Sequence, residues 1–123
     1  MTGDDLKVRL KIELPGGVRL GYGKVDLLRA VEEHQSISAA ARSMGMSYRR
    51  AWLLIDELNH CFDEPVIETS VGGRAHGGAV LTATGHRIID LYQAARDKVQ
   101  IAIHDELDQL ASALVKSPEV TDK

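Results

Sequence analysis

The chain has 123 residues, 44% of them hydrophobic, 27% charged and only 4% aromatic, which is material for one compact domain with an aliphatic core and one protruding element. Its formal charge of -3 excludes a protein that coats nucleic acid through bulk charge. The single cysteine, Cys61, rules out an intramolecular disulfide, and with no apolar run long enough for a bilayer and no basic-then-apolar leader, a cytoplasmic location is expected.

Residues 6–14 alternate strictly. Leu6, Val8, Leu10, Ile12 and Leu14 stand against Lys7, Arg9, Lys11 and Glu13, the pattern of a strand buried on one face. Pro15-Gly16-Gly17 predicts a turn and residues 18–20 a short return strand, so 6–20 reads as a hairpin. Gly21 and Gly23 break this pattern. A helix is expected from Lys24 or Val25 to His34, with Val25, Leu28 and Val31 at helical spacing.

Residues 36–61, SISAAARSMGMSYRRAWLLIDELNHC, organise the rest. Ser36 or Ser38 can cap a first short helix built on Ala39, Ala40 and Ala41, and Gly45 suits the left-handed residue that ends it. Ser47 then caps a longer helix from Tyr48 to about Cys61. Small residues, a glycine turn and a second helix are the composition of a helix-turn-helix, in which two helices approach closely. On the second helix Ala51, Leu54, Ile55, Leu58 and Phe62 share one face, and Arg49, Leu53, Asp56 and His60 the other. Arg49 and Arg50 sit in the first turn and the acids come later, the reverse of what the helix dipole alone favours. Basic residues at the start suit a recognition helix whose N-terminal turn enters a DNA major groove.

Charge is unevenly spread. No acid lies between Glu33 and Asp56, a window holding Arg42, Arg49 and Arg50, and none between Glu68 and Asp90, a window holding Arg74, His76, His86 and Arg87. Residues 66–70 predict a strand. VGGRAHGGA, residues 71–79, carries four glycines and predicts an exposed loop, and Val80 and Leu81 a returning strand. Strand, glycine loop and strand after a helix-turn-helix make a β-wing with Arg74 and His76 at its tip. The glycines lack the spacing and the Lys-Ser/Thr ending of a phosphate-binding P-loop.

Thr82 or Thr84 can cap a last helix over residues 83–114. Ile88, Leu91, Tyr92, Ala95, Val99, Ile103, Leu107, Leu110 and Leu114 form an apolar stripe along it. Such a helix spans over ~40 Å, longer than a domain of this size covers. A second copy is the simplest cover, with Ile88, Tyr92, Ala95, Val99, Ile103, Leu107 and Leu110 as the expected dimer interface. The fold expected is therefore mainly α with a small β component: a winged helix-turn-helix over 1–81 (hairpin 6–20, helix-turn-helix 36–61, wing 66–81), a dimerisation helix over 82–115 and a polar tail at 116–123.

GYGKVDLLRAVEEHQSISAAARSMGMSYRRAWLLIDELN, residues 21–59, together with the wing ETSVGGRAHGGAVLTATG and the N-terminal alternating strand, strongly resembles the N-terminal winged-helix domain of ModE-type molybdate-responsive regulators. The resemblance reaches about Tyr92. It implies a LysR-like winged helix that dimerises through helices outside the reader and binds palindromic operators near molybdenum-related genes. It places DNA contact on Ser47, Tyr48, Arg49 and Arg50 of the recognition helix and on Arg74 of the wing, with Trp52 suited at least as well to packing. Family members carry C-terminal β-barrel domains for molybdate. No strand-rich segment follows the last helix here, so molybdate sensing is not carried over.

The expected function is sequence-specific transcription regulation by a homodimer on double-stranded DNA, without a cofactor, a membrane partner or molybdate. The alternative is a winged helix used as a protein-interaction module, pairing with a full-length regulator. An enzyme or metal protein is disfavoured. His34, His60, Cys61, His76, His86 and His104 show no HxxxH, HExxH or CxxC spacing.

Overall fold

The computed structural model describes residues 1–70 and 78–115. The expected wing tip, with Arg74 and His76, and the tail at 116–123 lie outside the described residues. The described residues divide into two compact units: those within 9–94 form one, and 1–8 with 95–115 form the other.

The larger unit begins with a hairpin of β1 (Lys11–Glu13) and β2 (Arg19–Gly21), joined by a 3-10 turn at Pro15–Gly17. The strands are antiparallel, with Lys11 opposite Gly21 and Glu13 opposite Arg19. The first strand is shorter than the alternation predicts, and all three of its residues are exposed. The partner sets the limit, because helix α1 (Tyr22–His34) starts directly after β2 and leaves three residues to pair with. Leu10 keeps its half-buried side, and its carbonyl is satisfied by the Tyr92 hydroxyl, which donates at 2.6 Å.

Helix α1 ends at Gln35, which takes a left-handed conformation (φ 54). Helices α2 (Ile37–Ser43) and α3 (Tyr48–Cys61) follow, then β3 (Ile67–Ser70) and β4 (Gly78–Leu81), an antiparallel pair with Ile67 opposite Leu81. β4 thus claims Gly78 and Ala79 from the segment read as loop. Val25, Leu27, Leu28 and Val31 from α1, Ile55 and Leu58 from α3, and Val66 form the solvent-free centre of the core. Each of the larger side chains contributes ~1.5–3 kcal/mol by leaving water.

Polar bonds tie the segment after α3 to the helices on both sides. The Asn59 Oδ1 accepts from the backbone N–H of Val66 at 2.8 Å and of Ile67 at 3.4 Å, and its amide nitrogen donates to the Ile67 carbonyl at 3.4 Å. Thr82 donates its hydroxyl to the Pro65 carbonyl at 2.7 Å and accepts from the N–H of Gly85 at 3.0 Å, capping α4 (Ala83–Ala102). Gly85 is buried, and a Cβ there would overlap the Leu81 side chain and the Val66 carbonyl.

In the smaller unit, Thr2 and Asp5 close a capping box on a 3-10 turn at Gly3–Asp5. The Gly3 N–H donates to Asp108 Oδ1 at 2.7 Å. Arg96 donates to the Val8 carbonyl at 3.2 Å and Gln100 to that of Leu6 at 3.3 Å. These side chains satisfy carbonyls that a longer strand would have used in a ladder. The single helix predicted over 83–114 is interrupted at Ile103 (φ -106, ψ 23), and α5 (His104–Ala113) follows. The interruption is slight: Ile103 N–H still reaches the Val99 carbonyl at 3.0 Å, and Leu107 N–H that of Ile103 at 2.9 Å. No glycine or proline marks it in the sequence.

The expected interface stripe is divided by this packing. Ile88 and Tyr92 are buried in the core of the larger unit, and Leu107 is buried in the smaller one. The chain itself already covers these three residues. Ala95, Val99 and Ile103 are half-buried, Leu110 is 57% exposed, and Leu91 and Ile101 are exposed as well.

Candidate nucleic-acid interface

Short-range chemistry shapes the helix-turn-helix. Ser36 accepts from the Ala39 N–H and Ser47 from the Arg50 N–H, both at 3.1 Å, so each hydroxyl satisfies a donor that its helix leaves free. Gly45 takes φ 69 in the turn, a conformation that costs a residue with a Cβ roughly 1–2 kcal/mol. Ala40, Ala41 and Ala51 are buried where α2 meets α3, and their small size allows the close approach. Met44 and Met46 are half-buried against the core beside the turn.

Because Ala51, Ile55 and Leu58 face inward, the opposite side of α3 is presented to solvent. Tyr48, Arg49, Trp52, Leu53 and Asp56 line one shallow surface there. Tyr48 is 52% and Leu53 55% exposed, whereas Trp52 is half-buried and packed against the core. This face combines one guanidinium with apolar and aromatic groups, the set that can bond guanine edges and touch thymine methyls in a major groove. Asp56 closes it with a negative charge.

The two neighbouring arginines part company. Arg49 belongs to the outward face, and Arg50 lines a second groove on the flank of α3 with Lys11, Arg19, Tyr22, Lys24, Met46 and Leu54. Lys24 is fixed by its bond to the Arg19 carbonyl at 2.8 Å and by Glu57 at 3.6 Å. The Arg9 guanidinium lies 4.0 Å from the centre of the Tyr22 ring. Sequence reasoning missed Lys11, Arg19 and Lys24. The available signal was the basic side of the alternating segment, but periodicity does not say where that side points. The register does: Lys11 stands opposite Gly21 and lines the groove with Gly21, Tyr22 and Gly23, where β2 runs into α1.

His86 is anchored on the surface. Its Nε2 meets Glu32 at 2.8 Å and its Nδ1 the Thr82 carbonyl at 3.1 Å. The bond to Glu32, then that to Thr82, raises the imidazole above its ordinary value. Cys61 is a free, half-buried thiol. Among the described residues no group of three His, Cys, Asp or Glu side chains could hold a metal ion, and no helix is long and apolar enough to cross a membrane.

Residues 23–86 match the family model for bacterial regulatory helix-turn-helix proteins of the lysR family. The molybdenum transport protein ModE of Azotobacter vinelandii is 34% identical over 114 residues, which cover 93% of this chain and 41% of that protein. The molybdenum-pterin-binding protein MopB of Rhodobacter capsulatus is 45% identical over 78 residues, covering 63% of this chain and 29% of that one. The DNA-binding transcriptional dual regulator ModE of Escherichia coli K12 is 41% identical over 69 residues, covering 56% and 26%. The chain thus spans less than half the length of these relatives. Among solved structures, the LysR family transcriptional regulator VV2_1132 superposes with a TM-score of 0.51 at 16% identity, covering 70% of this chain and 28% of that one, a likeness of fold.

Proposed function

The chain belongs to the lysR family of bacterial helix-turn-helix regulators, proteins that bind DNA to control transcription, and from that premise we propose that it reads a palindromic operator as a homodimer, with the outward face of α3 as the reader. The observation that carries the reading is the shared outward surface of Tyr48, Arg49, Trp52, Leu53 and Asp56, presented while Ala51, Ile55 and Leu58 hold the opposite side of the helix in the core. Ser47 caps this helix and sets the direction of its first turn. Arg74 and His76 are proposed as wing contacts to phosphate or to the minor groove. Likeness to a molybdenum transport protein and a molybdenum-pterin-binding protein favours molybdenum-related genes as targets.

Dimerisation is proposed through the stripe of the last two helices that the chain covers only in part, with the half-buried Val99 and Ile103 and the exposed Leu110. Two readers held one helical turn apart, ~34–36 Å, match a palindrome and act with a high local concentration, which offsets a net charge of -3. Molybdate is proposed to leave binding by these 123 residues unchanged, since a groove open to solvent lacks the converging, shielded donors of a selective oxyanion site.

Selection of duplexes from a random pool, followed by sedimentation of the free and bound protein, tests the reading. A palindromic consensus and a two-to-one complex are expected. Arg49→Ala should relax specificity at one position per half-site, at a cost of ~1–3 kcal/mol. No enriched sequence, or a monomer bound to a single half-site, would refute the proposal.

A further inference from the structure

We propose that the N-terminal hairpin is a third DNA-contacting element, and that Lys11 and Arg19, with Arg50, grip the phosphodiester backbone beside the recognition helix. This rests on the DNA-reading proposal and adds hairpin residues that belong to neither the helix-turn-helix nor the wing.

The groove gathers Lys11 from β1, Arg19 from β2, Lys24 from α1 and Arg50 from α3. Residues far apart in sequence meet in one place, and the described residues that line it include no acid. In a chain with more carboxylates than cations, three unpaired cations gathered beside a fourth that Glu57 already pairs repel one another, and a polyanion relieves that repulsion. The four cations play different parts. Lys24 is occupied, bonded to the Arg19 carbonyl and paired with Glu57, so it braces β2 against α1. Among the described residues, Lys11, Arg19 and Arg50 have no ion-pair partner, and all three are exposed. They remain available to a ligand.

Position supplies the occupant. Arg49 and Arg50 are successive residues of the first turn of α3 and lie on two different surfaces, the outward face and this groove. When the first turn of a recognition helix enters the major groove, the residues on its flank meet the sugar-phosphate wall of that groove. Cations there fix the protein's register on the duplex and carry no sequence information. Tyr22, 47% exposed on the groove and stacked under Arg9, adds a hydroxyl able to donate to a phosphate. A duplex backbone is an extended array of phosphates, and several cations along a groove open to solvent suit such an array better than they enclose one free anion.

The test compares the full chain with a Lys11→Ala, Arg19→Ala double variant and a charge-preserving Lys11→Arg, Arg19→Lys variant. Affinity for the selected operator and for an unrelated duplex of equal length is measured across salt concentrations, and phosphate contacts are mapped by ethylation interference. Removing one cation from a phosphate flattens the log–log salt dependence by ~0.9, so the alanine variant, without two per protomer and hence four per dimer, should show a slope shallower by about 3.6. It should weaken on both duplexes by the same factor and no longer show interference at phosphates flanking the half-site. The charge-preserving variant should keep the slope. An unchanged slope in the alanine variant, or weakening confined to the operator, overturns this proposal while leaving the DNA reading intact. A wild type that binds neither duplex removes the DNA reading itself.

Discussion

Asn59 holds the end of the recognition helix to the strand that begins the wing, and its removal can be worked through from the structure. Its strongest bond is the one from the Val66 N–H at 2.8 Å; the two bonds with Ile67 are at 3.4 Å, the long limit, and count for little. Val66 is fully buried, so Asn59→Ala leaves a donor with no partner and little access to water. An unsatisfied buried donor costs about 1–3 kcal/mol. At a urea m-value of ~1–3 kcal/mol per molar, a destabilisation near ~2 kcal/mol lowers the midpoint by about 1 M. Asn59→Asp keeps the acceptor and gives up only a weak donor bond, so it should retain most of the stability. Urea denaturation of the three proteins checks the ranking, and amide exchange at Val66 reports the site itself. If Asn59→Ala lies within ~0.3 kcal/mol of wild type, or if the aspartate is as damaging as the alanine, the reasoning fails.

Thymine-to-deoxyuracil replacement in the operator removes only methyl groups. At a position facing Leu53 it should weaken binding by ~0.8 kcal/mol, about fourfold, and Leu53→Ala should abolish that difference; equal sensitivity in both proteins would refute the contact. Gly85→Ala gains up to ~1 kcal/mol of helix propensity, but the new Cβ meets the Val66 carbonyl, and overpacking costs ~1–3 kcal/mol. The carbonyl is backbone and is itself bonded by the Thr82 N–H at 3.0 Å, so the clash wins and calorimetry should show a lower Tm. His86 should titrate above its usual value by NMR, and Glu32→Gln should bring it back down. Because the folded pKa is raised, the stabilisation is complete below the unfolded value near ~6.5 and disappears as pH rises through the folded one. Both side chains are about half exposed, so the effect stays within ~1 kcal/mol.

What the sequence determined by itself is local. Ser36 and Ser47 cap because a hydroxyl beside a free N–H needs no distant partner, and Gly45 turns because a missing Cβ permits φ 69 wherever the chain goes next. The inward face of α3 followed from its period, since helix geometry alone aligns Ala51, Ile55 and Leu58. Tertiary structure decided whatever depended on a partner. Alternation over residues 6–14 marked a buried side, but β2 pairs with only three of those residues, while Tyr92, Arg96 and Gln100 take the carbonyls of Leu10, Val8 and Leu6. The apolar stripe of the last helices looked uncovered because periodicity cannot show that Ile88 and Tyr92 meet the core or that Leu107 is buried in the smaller unit. The basic groove was invisible for the same reason. Lys11, Arg19, Lys24 and Arg50 share no period and no motif, and only the folded hairpin brings their charges together.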